Sequence, residues 1–294
     1  MTQTATDPIA VKALLQWYLE AGVDEVIVDQ PQDRFAEQAQ ALAAARASKA
    51  AGPGLSDGPM PASPVSQGRG PLTKPAAPAQ VSDQAAVKDA VAMAGKAETL
   101  DDLRTALEGF DGCALKTTAS NLCFYDGNPK ARVLFVGEAP GAEEDRQGLP
   151  FVGPSGKLLD AMLASIGLDR HGEGDAAALI SNTVFWRPPG NRTPTPSEAA
   201  ICQPFVERLI EIVRPRALVC VGGPSAKALL EQTQGITRLR GKWFDYATAK
   251  MDGPIPAMAL YHPAYLLRSP AMKRDAWRDL LMLKAKLAGG ADGG

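Results

Sequence analysis

Histidine is scarce in this sequence, with only His171 and His262 among 294 residues. Any chemistry that needs an imidazole therefore has two candidates. The four cysteines (Cys113, Cys123, Cys202, Cys220) include no C-x-x-C pair, which suits free thiols in a reducing compartment. No run of 18 apolar residues occurs, so no spanning helix is expected. Met1 to Ala10 lacks both a basic flank and an apolar stretch, so no signal peptide is visible and a cytoplasmic location is expected. There is no large charge excess either: the formal net charge of −2 excludes a globally basic nucleic-acid binder. That average hides a contrast, because Arg187 to Arg278 holds 14 Lys/Arg against 7 Asp/Glu. Such an asymmetry draws a polyanion to one face, or marks a solvated basic surface.

What is present is enough apolar residue for a core, 45% of the chain, and length for one large or two small domains. Ile9 to Leu19 has helical spacing and Phe35 to Ala47 is Ala-rich, so residues 1–49 read as a helical extension. Residues 50–97 are rich in Ala, Pro and Gly and are expected to form a disordered linker. Residues 98–294 are then expected to form the main folded domain. Thr99-Leu100-Asp101-Asp102 opens it as a capped helix with Leu103, Leu107 and Phe110 on one face. Strands are expected at Ala131–Gly137, Leu179–Phe185, Ala217–Val221 and Pro256–Tyr261, alternating with helices at 156–166, 197–213, 225–231 and 274–288. This alternation predicts an α/β protein, a three-layer α/β/α sandwich around a mostly parallel four-stranded sheet. Right-handed crossovers place all four strand ends on one rim, where ligands sit in open α/β sheets.

Each of those ends carries an unusual segment. After the first strand comes Gly137-Glu138-Ala139-Pro140-Gly141, then Glu144-Asp145 and Pro150-Phe151-Val152-Gly153. Gly156-Lys157 is no nucleotide-triphosphate loop, because position 151 is Phe and Leu158 follows the Lys. The second strand brings Asn182, able to offer one donor and one acceptor to a flat ring edge, followed by a Pro-rich loop with Arg187 and Arg192. The third runs into Gly222-Gly223-Pro224-Ser225, a helix start suited to phosphate. The fourth reaches His262-Pro263-Ala264-Tyr265-Leu266-Leu267-Arg268, whereas His171 sits in a Gly/Asp loop.

Taken in order, these segments resemble the uracil-DNA glycosylase superfamily, in particular its family-four branch. Gly137–Gly141 with Glu144-Asp145 and Pro150–Gly153 is similar to the first family motif, Asn182 with Arg187–Arg192 to the second, and His262–Arg268 to the third. The resemblance spans about Phe110 to the last helix. It implies a base-excision enzyme that acts on uracil in single- or double-stranded DNA as a monomer, away from membranes. Glu138 would position the attacking water, with Glu144 as runner-up, and His262 would steady the departing base. Phe151 would stack on the extruded ring and Asn182 would read its edge, with Gly137 and Ala139 beside them. Leu266 would wedge into the vacated stack. Arg268, Ser225, Arg187, Arg192 and Arg240 would hold phosphates, Arg240 from the loop 236–243, whose other reading is a basic turn leading into a strand.

Two departures from the family pattern stand out. Family-four enzymes ligate a four-iron cluster through four cysteines; here Cys113 and Cys202 match two positions, while Phe110 and Trp186 occupy the others. Two thiolates do not hold such a cluster, so no cofactor or metal is expected and the two rings fill its space. Ala139 also stands where the best-known branch places a water-activating Asp, which leaves Glu138 to do that work or points to a DNA-binding member without catalysis. A wider range of deaminated bases is a further alternative. No histidine lies between Gly235 and Phe244, so ordinary hydrolytic turnover is expected rather than a covalent link to DNA.

Overall fold

The computed structural model describes residues 83–289. The expected helical extension and residues 50–82 of the expected linker lie outside them. Six strands form one sheet: β1 Tyr125–Gly127, β2 Val133–Gly137, β3 Leu179–Asn182, β4 Ala217–Val221, β5 Trp243–Tyr246 and β6 Ile255–Leu260. The order across the sheet is β1-β3-β2-β4-β6-β5. The inner four, β3, β2, β4 and β6, run parallel, as expected from their uninterrupted apolar runs. β1 and β5 pair antiparallel at the two edges and raise the expected four strands to six. β1 escaped sequence reading because an edge strand needs no continuous apolar run, and each of its residues is half-buried; β5, of which only Tyr246 is buried, is the strand that the other reading of the 236–243 segment led into.

The helices are α1 Asp83–Lys96, α2 Leu100–Gly109, α3 Ala142–Gln147, α4 Pro154–Ser165, α5 Pro196–Val213, α6 Gly223–Leu230, α7 Ile236–Leu239, α8 Pro263–Arg268 and α9 Lys273–Ala288. Successive strand side chains point to opposite faces, so each strand feeds two cores. Leu134, Val136, Leu218 and Cys220 pack with Leu103 and Leu107 of α2 and Phe205 and Leu209 of α5. Val133, Phe135, Val219 and Met258 pack with Leu159 and Leu163 of α4 and Leu280 and Leu283 of α9. The three-layer α/β/α sandwich is thereby established.

One boundary moves. Residues 83–96, expected inside the linker, form α1, whose buried face is Ala86, Ala90 and Ala94, and α1 packs against α5. Methyl groups four residues apart let two helix backbones approach closely, yet they carry little hydrophobic signal. Ala-rich composition therefore looked like low complexity. Arg208 of α5 anchors the end of this segment through a 2.7 Å bond from Nε to the Ala97 carbonyl. Thr99 caps α2 as expected, in a reciprocal pair with Asp102: the Thr99 hydroxyl accepts from the Asp102 amide, and the Asp102 carboxylate accepts from that of Thr99.

Candidate active site

Parallel strands bring their carboxyl ends to a single rim, and four chain-distant segments meet there. Glu138 follows β2, Asn182 ends β3, Gly222 follows β4 and His262 lies just past β6. A cavity of about 500 Å³ opens at this rim, and Glu138, Phe151, Asn182 and His262 all line it, with Ala139 and Arg268.

Gly137 explains how two of these side chains come together. It is registered directly across from Asn182 between β2 and β3. A Cβ at Gly137 would stand 2.5 Å from the Asn182 Oδ1 and 2.5 Å from the Phe151 ring, so glycine leaves the space both occupy. Phe151 is itself in the left-handed region, with φ of 55°, a conformation uncommon for a bulky residue and upheld only by its surroundings. Asn182 is buried, and its Oδ1 finds no hydrogen-bond partner among the described residues. A buried acceptor without a donor is costly, which makes this oxygen a docking point for an N–H group.

His262 caps α8: its Nδ1 accepts from the Ala264 amide at 3.1 Å. With Nδ1 an acceptor, the ring proton of the neutral imidazole sits on Nε2. Burial, and then the nearby Arg268 cation, push its pKa down to about 4 against the opposing pull of Glu144, so the ring is neutral at physiological pH. Its centroid lies 5.5 Å from that of Phe151, with the rings tilted by 30°. Gly222, at φ 101°, is held against the same histidine: a Cβ there would come within 3.2 Å of the His262 Cβ. The turn expected to hold phosphate thus also seats the imidazole.

The carboxylates of the first motif divide by use. Glu143 pairs with Arg146 on the surface. Glu144, the runner-up for positioning water, accepts from the Gly141 amide at 3.1 Å and from the Val152 and Gly153 amides at 3.1 and 2.9 Å. It braces the Glu138 turn against the Phe151 loop through these three amides, and it also lines the cavity. Asp145, 5% exposed, accepts from the Ser120 and Asn121 amides. Glu138 has no backbone partner for its side chain among the described residues. Burial raises its pKa, and the Thr193 hydroxyl beside it partly offsets that. A carboxylate with raised proton affinity is suited to accept a proton.

Several expected DNA contacts stand elsewhere. Leu266 is 1% exposed in the core beside α4 and α9, so it cannot wedge into DNA; Leu267, the next residue, is 44% exposed. The Ser225 hydroxyl is buried and donates to the Val136 carbonyl at 2.6 Å, which removes it as a phosphate ligand. Arg240 donates to both oxygens of buried Asp279, at 2.8 and 2.7 Å, and stacks over Tyr261; it is a structural cation rather than a free one. Arg192 lines the cavity but is paired bidentately with Glu198. Arg187 is half-buried and donates to Asn191 Oδ1 at 2.7 Å. Arg268 is exposed at the cavity and forms no ion pair among the described residues. Reading the sequence missed Thr193 and Arg170. Thr193 lay within a loop already singled out, and Arg170 carried no local signal.

The four cysteines are buried thiols. Cys113 and Cys202 are neighbours: a hydrogen bond to Cys113, together with burial, raises the pKa of Cys202. Phe110 and Trp186, 2% and 3% exposed, lie in the same core, with Phe110 edge-on to Phe205 at 5.1 Å. The Cys123 thiol donates to the Glu144 carbonyl, and burial pushes that of Cys220 up to about 12. A four-iron cluster takes four thiolates, whereas among the described residues no group of three or more His, Cys, Asp or Glu side chains is placed to hold a metal, so the Cys113–Cys202 pair by itself does not fit it.

Fold and site together define an α/β protein that gathers a carboxylate, an aromatic ring, an amide and an imidazole in one pocket at the strand ends. The description "Uracil DNA glycosylase superfamily" matches residues 124–281, and the chain belongs to that superfamily. It is 40% identical over 183 residues to the type-4 uracil-DNA glycosylase of Archaeoglobus fulgidus, a match covering 60% of this chain and 88% of that protein. It is 37% identical over 176 residues to the type-4 enzyme of Thermotoga maritima, covering 59% and 86%. The type-5 uracil-DNA glycosylase of Thermus thermophilus is 30% identical over 174 residues, covering 55% and 78%.

Proposed function

We propose that this protein removes uracil from DNA by hydrolysing the bond between uracil N1 and the deoxyribose C1′, leaving an abasic site. The unpartnered Asn182 Oδ1 carries the reading. Uracil presents an N3–H donor to that acceptor, flanked by oxygens; cytosine has no hydrogen on N3, and the mismatch costs on the order of 1–3 kcal/mol. The base must leave the stack to reach the cavity, at a few kcal/mol. Phe151 then supplies a face on which it stacks.

As the C1′–N1 bond breaks, its electron pair moves onto the base and develops negative charge at O2. The neutral His262 Nε2–H donates to that oxygen, in the sense of an oxyanion-hole donor. Water attacks C1′, and its proton passes to Glu138, which lines the cavity and, among the described residues, is held neither by backbone amides, as Glu144 and Asp145 are, nor by an arginine, as Glu143 is. Arg268 offers a phosphate contact at the pocket mouth. The proposal extends to a monomer that works on single- or double-stranded DNA in the cytoplasm.

We further infer that it works without an iron–sulfur cluster, because the donor set provides two thiols and two rings. Purified protein is expected to be colourless and free of iron; a brown, iron-containing sample overturns this. The activity is tested with an oligonucleotide carrying one uracil, followed by alkali. Strand scission at that position is expected, and an intact strand refutes the reading. A hypoxanthine oligonucleotide in parallel reads the breadth of specificity.

A further inference from the structure

Arg170 lies in no recognised motif, yet it is a guanidinium only 5% exposed. A charge taken out of water needs partners, and this one has two carboxylates from different layers. Its Nε donates to Asp160 Oδ1 of α4 at 2.7 Å, and its Nη1 to Asp126 Oδ2 of β1 at 2.8 Å. The remaining donors do something more specific. Nη1 reaches the Pro150 carbonyl at 3.2 Å, and Nη2 reaches the Phe151 carbonyl at 2.9 Å. The planar fork therefore grips two successive peptide groups, which a lysine ammonium cannot do in the same geometry.

Those peptides hold the left-handed Phe151. Its carbonyl also lies against Gly156 of α4, where a Cβ would stand 1.8 Å from the oxygen. One side of the turn is thus packed on helix backbone, and its carbonyls are gripped by the guanidinium. The ring that projects from it enters the cavity over Gly137.

We propose that Arg170 is a positioning residue for uracil excision: by holding the Pro150 and Phe151 carbonyls it keeps the Phe151 ring in place as a stacking platform before the base arrives. The inference rests on the reading that Phe151 stacks on the flipped base. A platform already ordered spares the incoming base the cost of ordering it. Loss of the fork would then weaken base binding while leaving contacts to the DNA backbone untouched.

The experiment uses the full chain and Arg170→Lys, with Phe151→Ala and the double variant. Three quantities are read: the dissociation constant for free uracil, that for an oligonucleotide bearing an abasic-site analogue, and the KM against kcat split on a single-stranded uracil oligonucleotide. Base-on-ring stacking sets the scale, so Arg170→Lys is expected to weaken uracil roughly tenfold and to raise KM alike, with abasic-DNA affinity unchanged. The double variant is expected to lose no more than Phe151→Ala alone, because both act through one ring. Losses that add, or uracil and abasic affinities that fall together, overturn the proposal. If Phe151→Ala itself spares uracil binding, the stacking reading fails instead. Should Arg170→Lys not fold, Asp160→Asn decides: its carboxylate side chain is 49% exposed, and it removes one anchor of the fork. A selective loss of uracil affinity supports the proposal, and unchanged affinity alongside a weakened Phe151→Ala overturns it.

Discussion

Single atoms decide the chemistry here. Gly137 has no side chain because the Asn182 amide and the Phe151 ring occupy that volume, each 2.5 Å from where a Cβ would sit. Gly137→Ala is therefore expected to keep the fold and lower kcat/KM by roughly 100-fold, since displacements near 1 Å at a site cost about that much; an initial-rate assay with a parallel melt checks it. His262 makes a different prediction through its proton. Its pKa is about 4 in the fold against an ordinary 6.5, so the unfolded chain binds a proton between those values and the folded protein does not. Stability is unaffected above pH 6.5 and falls as the pH drops toward 4, by about 2 kcal/mol at pH 5. His262→Gln should remove that part of the loss, seen as a smaller gap between melts at pH 7 and pH 5. In the proposed mechanism activity follows another group. The pKa of Glu138 is raised by burial, so the acid limb of kcat/KM should stand at higher pH than an ordinary glutamate gives.

At the scale of elements, the question is which face a helix turns outward. α8 is short and starts on the His262 cap, so its phase follows from that cap. The result sends Leu266 inward and Leu267 outward. Leu267 is thus the side chain left to take the wedge role expected of Leu266, and in that case Leu267→Ala should reduce excision from duplex DNA more than from single strands, where no stack has to be refilled; equal losses on both substrates would discard it. α9 illustrates the same point with charge. Its Asp279 is 1% exposed and burial raises its pKa, so it needs the Arg240 fork. Arg240→Ala is expected to cost about 3 kcal/mol in urea unfolding by leaving a buried carboxylate unpaired, with little change in affinity for DNA.

For the whole molecule, the sequence count of basic residues overstates the field DNA meets. Arg192, Arg208 and Arg240 are held in ion pairs, while Arg268 at the pocket mouth forms none among the described residues. Arg268→Ala should weaken binding to uracil-containing and undamaged strands alike and reduce the slope of log K against log salt by about 1. Titrations at several salt concentrations would reveal it; an unchanged slope would remove Arg268 from the phosphate contacts.

Much of this was legible from local pattern. Continuous apolar runs marked β2, β3, β4 and β6, helical periodicity marked α4, α5 and α9, and the loops at their junctions carried Glu138, Phe151, Asn182 and His262. Such signals need only neighbours within a turn or two, so the chain itself determined the layer order and the rim on which the site is built. Partners were decided by the tertiary structure alone. Arg240 meets Asp279 39 positions away, and Arg170 meets Asp126 44 positions away. Which of four motif carboxylates stays uncommitted, which of two adjacent leucines is wet, and that an alanine stripe packs as α1 are likewise settled across the fold. Burial and hydrogen bonding depend on everything that surrounds a group in space, and one-dimensional spacing holds no record of that.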